Sequence, residues 1–127
     1  MADVNRGNRP LSPHLTIYRW PVTMLTSILI RITGIALVVS ALLVAWWLLA
    51  AATSPAYFAL ADRMITSFLG DVVMLLSLLG LWLHALGGLR HLIWDQAVML
   101  DVNSAKMLSW AMLIGSVVMT ALTLALV

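Results

Sequence analysis

Cysteine is absent from the 127 residues, so neither a disulfide nor a thiolate-bound cluster can form within this chain. Charge is scarce. Only 9% of the residues are ionised, against 63% hydrophobic, which excludes a disordered tail. The sequence has no dinucleotide-binding glycine loop, no internal repeat and no low-complexity tract. The net charge of +2 rests on too few groups to suggest a nucleic-acid partner, and none is expected. The polar opening from Met1 to Arg9 has neither the basic, apolar and small-residue order of a signal peptide nor the look of a transit peptide. The first apolar span is therefore expected to act as its own insertion signal.

What the chain does have is three long stretches without formal charge, at residues 32–61, 72–89 and 107–127. Each is about as long as the roughly 18 to 20 apolar residues that cross a bilayer core of about 30 Å. Three such runs in one short chain leave no polar surface to keep it in water. The fold class is all-α, with three transmembrane helices expected near 23–52, 71–94 and 105–127. Residues 1–22 form a polar arm broken by Pro10, Pro13 and Pro21, because proline cannot continue a helix interior. Thr53-Ser54-Pro55 ends the first span, and residues 55–71 suit a short interfacial segment. Asp101-Val102-Asn103-Ser104 is expected to turn the chain into the third span.

Lysine and arginine counts in the short flanks give an orientation. Arg6, Arg9, Arg19, Arg31, Arg90 and Lys106 lie on the side of the N-terminus, and Arg63 alone lies on the other. The N-terminus is thus expected in the cytoplasm (or the matrix of an organelle), with the C-terminus outside.

The second span carries residues that a membrane helix does not hold without a reason. At 100° per residue, Gly80, His84, Gly87, Gly88 and His91 share one face. Ionisable groups at membrane depth are costly and usually meet a partner or cofactor. Glycines beside them let a flat ring such as a porphyrin approach the backbone. Alternatively, the glycines make a close helix contact with His84 hydrogen-bonded across it. The histidine spacing limits the first option. His84 and His91 stand about 10.5 Å apart along the axis at 1.5 Å per residue. Axial nitrogens lie roughly 2 Å either side of a metal, taking metal–imidazole bonds as a guide. The two cannot ligate one iron, so a six-coordinate haem on His84 needs its second ligand from another chain. His14 lies in the arm, outside the spans.

On the first span, Ser27 and Arg31 lie one turn apart on one face, and Trp20 and Met24 continue the stripe if the helix starts early. A hydroxyl, a guanidinium and an aromatic ring at the membrane surface can hold the polar head of a quinone. The alternative makes Arg31 a snorkelling flank charge and Trp20 part of an aromatic belt.

Two motifs bear on both choices. Residues 9–18, RPLSPHLTIY, with 27–34, SILIRITG, resemble the signature of the cytochrome b subunit family of succinate dehydrogenase. So does HALGGLRHLIWD at 84–95. The resemblance covers nearly the whole chain. It implies half of a haem-binding helical bundle, completed by a second small membrane anchor subunit that shares one b-type haem. His84 is then the axial ligand to iron, with Arg31 and His91 candidates for the haem propionates and Arg90 in their vicinity. The quinone-binding positions it implies are Ser27 and Arg31, with Trp20, Met24, Ile28 and Asp95 nearby. Ubiquinone is the implied substrate, and an iron–sulfur subunit and a flavoprotein subunit are the implied partners beside membrane lipid. Dicarboxylate oxidation would then occur in those other subunits, and the implied location is the bacterial inner membrane rather than the mitochondrial one. One departure stands out. Many members carry histidine immediately before the arginine of the first motif, where this sequence has Ile30, so a hydrogen bond from that side chain to haem is missing.

Two rival readings stay open: an anchor of a quinol:fumarate reductase, and a structural or assembly subunit without redox groups. A free-standing transporter is disfavoured, since three helices without a repeat leave little room for alternating access.

Overall fold

The computed structural model describes residues 9–127, so Arg6 of the expected basic arm lies outside the described residues. Four helices follow in order: α1 (Val22–Thr53), α2 (Pro55–Ile65), α3 (Phe68–Asp95) and α4 (Val102–Leu126). The three long ones, α1, α3 and α4, are long and apolar enough to cross a membrane. At 1.5 Å per residue the 32 residues of α1 extend about 48 Å, more than a bilayer core requires.

Helix boundaries follow local chemistry and differ from the expected ones at several ends. Thr53-Ser54-Pro55 does end α1, and it also starts α2. Ser54 is extended, its side chain accepts from the Tyr57 amide at 3.2 Å, and Pro55 takes the first helical position, where no amide is needed. The expected interfacial segment is therefore an 11-residue helix followed by the start of α3. Ser67 caps α3 by accepting from the Gly70 amide at 3.2 Å, which moves its start to Phe68 and puts Asp71 in the first turn. A carboxylate there complements the helix dipole. Gly70 is required at this corner, since a Cβ would lie 2.1 Å from the Ile65 carbonyl oxygen. The expected turn at 101–104 is the capped beginning of α4, with Asp101 Oδ2 accepting from the Ser104 amide at 3.0 Å.

Packing is arranged for lipid rather than water. Fully buried positions are small or polar (Thr26, Ala50, Ala61, Ser109, Ser116), while many leucines, isoleucines and valines of all three spans, such as Leu42, Leu76 and Val117, face outward. Lipid is as apolar as leucine, so helices in a bilayer associate through small residues and interhelical hydrogen bonds instead. α3 packs against both α1 and α4, and α1 also meets α4 directly, where the Thr26 hydroxyl donates to Ser109 Oγ at 3.3 Å. Along the α1–α3 seam, Thr26 meets Arg90, Ile30 meets Gly87, Thr33 meets His84 and Ser40 meets Ser77. Residue numbers rise on one strand of that ladder as they fall on the other, so the two spans are antiparallel. Trp82 Nε1 donates to Thr123 Oγ1 at 3.0 Å across α3 and α4.

Candidate functional site

His84 sits half-buried on the α1–α3 seam. Its Nδ1 lies 3.1 Å from the Ile30 carbonyl oxygen and 3.4 Å from Thr33 Oγ1. A carbonyl can only accept, so that bond requires the proton on Nδ1 and leaves the Nε2 lone pair of the neutral ring free. Gly34 makes the approach possible: a Cβ there would stand 3.0 Å from His84 Cε1. Metal-binding histidines are commonly oriented in this way, with the distal ring nitrogen fixed by a backbone carbonyl. The residues present fit an axial ligand to a haem iron on that account.

The glycine face divides. Gly87 is occupied by α1, since a Cβ on it would lie 2.5 Å from Ile30 Cδ1, and Gly80 abuts Thr33 at 3.6 Å. These two make the close helix contact. Gly88 has nothing within 4 Å of where its Cβ would stand and faces open space. The close-contact reading thus applies to Gly80 and Gly87 and not to Gly88. His91 is exposed, its Nδ1 is 2.8 Å from the Gly87 carbonyl oxygen, and its ring meets Trp94 edge-on with centroids 5.6 Å apart.

Arg90, which the resemblance sets in the vicinity of the haem propionates, is buried in the bundle. It is 2% exposed and donates from Nη1 to Thr26 Oγ1 at 2.6 Å and Ser109 Oγ at 3.0 Å, inside the junction of α1, α3 and α4. Helical geometry gives the reason: two residues turn the helix by about 200°, so Arg90 points away from the open edge at Gly88. Its carbon Cζ also lies 4.6 Å from the Trp94 ring centroid.

At the same end of the bundle, α1 begins too late to carry the stripe as far as Trp20. Met24 is helical and its sulfur accepts from the Tyr18 hydroxyl at 3.1 Å. Trp20 stays in the arm, exposed and edge-on to Tyr18 with centroids 6.4 Å apart. Ser27 and Ile28 are half-buried, and Arg31 is exposed one turn further on. Asp95, the last residue of α3, is exposed and forms no ion pair with Arg31 among the described residues. Ser27 differs from the other helical hydroxyls. Thr26, Thr33, Ser40, Thr53, Ser77, Ser109, Ser116, Thr120 and Thr123 each donate to a carbonyl three or four residues back. Beyond the first turns of the spans, Ser27 alone among the described residues makes no such bond, so its hydroxyl is available to an outside group. His14 pairs with Thr16 Oγ1 at 2.9 Å in the arm.

Sequence reasoning missed the acceptor for His84 Nδ1 and the burial of Arg90. Gly34 was within the first motif, and its place three residues after Arg31 was the available signal for a ring packed on α1. Among the described residues no group of three His, Asp or Glu side chains is assembled for a metal ion.

These features define a three-span helical membrane subunit with one imidazole held in a fixed tautomer at lipid depth. The chain belongs to the succinate dehydrogenase/fumarate reductase transmembrane subunit family, whose model matches residues 5–123. It is 53% identical over 124 residues to the succinate dehydrogenase cytochrome b556 subunit of Paracoccus denitrificans, covering 98% of this chain and 95% of that one. The b556 subunit of Rickettsia conorii is 34% identical over 91% of this chain and 90% of its own. A mitochondrial relative, the cytochrome b560 subunit of Sus scrofa, is 42% identical over 70% of this chain and 54% of its own length.

Proposed function

We propose that this chain is a membrane anchor of a succinate:quinone oxidoreductase, that it gives one axial ligand to a b-type haem, and that it helps form the ubiquinone-reduction site. The observation that carries the reading is the Nδ1–H bond from His84 to the Ile30 carbonyl, which presents Nε2 as a ligand. The second axial ligand comes from a second small anchor subunit, since His91 stands too far along α3 to share the iron. When bound, the haem supplies one-electron chemistry within the membrane. Arg31 and His91, both exposed, are the residues of this chain that would meet its propionates.

Ser27 donates a hydrogen bond to a carbonyl of the quinone head. Arg31 stabilises the negative charge that develops on the ring oxygen as electrons arrive from flavoprotein and iron–sulfur subunits. Trp20, Met24, Ile28 and Asp95 border that end of the bundle. The N-terminus faces the cytoplasm of a bacterial inner membrane, following the excess of Arg and Lys on that side. The relatives named above are succinate dehydrogenase subunits, which favours succinate oxidation over fumarate reduction.

The test is the absorbance spectrum of the purified complex, wild type against His84→Ala. Loss of the b-type bands in the variant is expected. A wild-type complex without b-type absorbance favours the purely structural anchor. Ser27→Ala is expected to lower quinone reduction while sparing reduction of a soluble artificial acceptor, and equal loss of both removes Ser27 from the site.

A further inference from the structure

Arg90 is a cation enclosed by three helices with hydroxyls for partners. Its bonds run to Thr26 and Ser109, it forms no ion pair among the described residues, and its Nε has no hydrogen-bond acceptor. The Trp94 indole nitrogen beside it is likewise buried without a partner. A charge in such a place is costly, and apolar side chains of similar volume usually pack a helix junction as well or better. Stability alone is therefore a poor reason for a guanidinium here.

The partner on α1 supplies a better one. Thr26 is adjacent in sequence to Ser27, and its hydroxyl accepts the shortest bond Arg90 makes, at 2.6 Å. α2, α3 and α4 each begin with a capping side chain, from Ser54, Ser67 and Asp101. α1 does not. Its N-cap is Pro21, with no side-chain cap and no acidic residue in the first turn. Helix ends without caps fray and turn freely. The Arg90–Thr26 bond ties the second turn of α1 to α3 and α4 at the point where Ser27 must face one way. Thr26 also donates to the Thr23 carbonyl at 3.1 Å, which carries the constraint back toward the start of the helix. The same seam continues through Ile30 and Gly87 to His84.

We propose that Arg90 is a positioning residue for quinone reduction: through Thr26 it sets the rotation of the first turns of α1, and so the direction in which Ser27 and Arg31 meet the quinone head. This rests on the assignment of Ser27 to the quinone site. Small misplacements of a positioning group cost large factors in rate, so an effect of about tenfold on kcat/KM for quinone is expected.

The experiment uses the assembled complex with a short-chain ubiquinone and, separately, a soluble artificial acceptor. Thr26→Val is isosteric and removes the acceptor of the Arg90 bond. It is expected to raise KM for the quinone several-fold while the soluble-acceptor rate stays at the wild-type level. Thr26→Ser, which keeps the hydroxyl, is expected to restore wild-type KM. The control is Thr123→Val, which removes the acceptor of the Trp82 indole between α3 and α4 rather than a bond to α1; it is expected to lower thermal stability while leaving quinone KM within about twofold. Unchanged quinone kinetics in Thr26→Val overturn the proposal. So does an equal rise in Thr26→Val and Thr123→Val, which is what a general loosening of the bundle gives. Should Thr26→Val not assemble, Arg90→Met takes its place, since a long apolar side chain fills the junction and has no donor for the Thr26 hydroxyl. A wild-type KM in that variant counts against the proposal. Ser27→Ala, run alongside, separates the two claims: no quinone effect there removes the underlying site, whereas an effect there without one in Thr26→Val removes the positioning role alone.

Discussion

His84 Nδ1 and the Ile30 carbonyl oxygen lie 3.1 Å apart across the α1–α3 seam, and Gly34 is what lets the ring come so close. With alanine at 34, the new methyl would stand 3.0 Å from His84 Cε1. The ring must then yield by a few tenths of an ångström, and the bond to Ile30 lengthens. Partners that orient a metal-binding histidine commonly contribute about ten- to a hundredfold in affinity. With His84 as the proposed haem ligand, Gly34→Ala is expected to weaken haem retention by about tenfold. Transfer of haem from the purified complex to a competing apoprotein measures it. Retention equal to wild type would show that the backbone contact does not orient the ligand.

A second consequence concerns Gly87, where α1 already fills the space. An alanine Cβ would lie 2.5 Å from both Ile30 Cδ1 and Cγ1 and 3.3 Å from Met112 Sδ. Overpacking of a tight contact costs about 1–3 kcal/mol. Gly87→Ala should destabilise the complex by that amount, and Ile30→Ala in the same chain should recover most of it. Thermal melts of the two single variants and the double variant check this. Additive effects would mean that the two residues do not compete for one space.

The three spans were legible because ionised groups are expensive in lipid, so charge-free runs mark them without help from tertiary packing. The histidine and glycine face of α3 was legible from helical period. Its division was not, since Gly87 and Gly88 differ only in what α1 brings beside them. Nor was the acceptor for His84 Nδ1, because a backbone carbonyl has no signature in sequence. Arg90 stands next to His91 within the motif, and nothing in that adjacency tells an inward side chain from an outward one. Its burial depends on Thr26 and Ser109, which are 64 and 19 residues away in the chain. Ser54 and Pro55 mark the end of α1, and a capping serine followed by proline equally announces a new helix.

That short helix, α2, is held by adjacent tryptophans. Trp46 Nε1 donates to the Tyr57 hydroxyl at 2.8 Å, and Trp47 Nε1 donates to Asp62 Oδ1 at 3.2 Å, with Trp47 also packed against Phe58 at 5.4 Å. Removing one acceptor leaves an indole donor unpaired and costs about 1 kcal/mol. Tyr57→Phe and Asp62→Ala should each speed amide exchange in α2 without changing that of α4. Asp62→Asn keeps an acceptor and should stay near wild type. Exchange that rises equally in α4 would mean that α2 is not a separate unit of opening.

The start of α4 depends on pH through Asp101. Hydrogen bonding from the Ser104 side chain, then from its amide, holds this carboxyl below its ordinary value of 3.8. A group whose pKa is lowered by folding contributes stability that is complete above the unfolded value. That contribution fades as pH falls below 3.8 and through the lower folded pKa. Protonation leaves a weaker acceptor for the Ser104 amide and removes a negative charge from the positive end of the α4 dipole. Asp101→Ala should therefore open the first turn of α4 at neutral pH, and wild type should approach the variant as the medium is acidified below that range. Amide exchange at residues 102–105, with rates corrected for the intrinsic effect of pH, follows the convergence. A gap between the two proteins that stays constant into strong acid would mean that the carboxylate charge has no part in the cap.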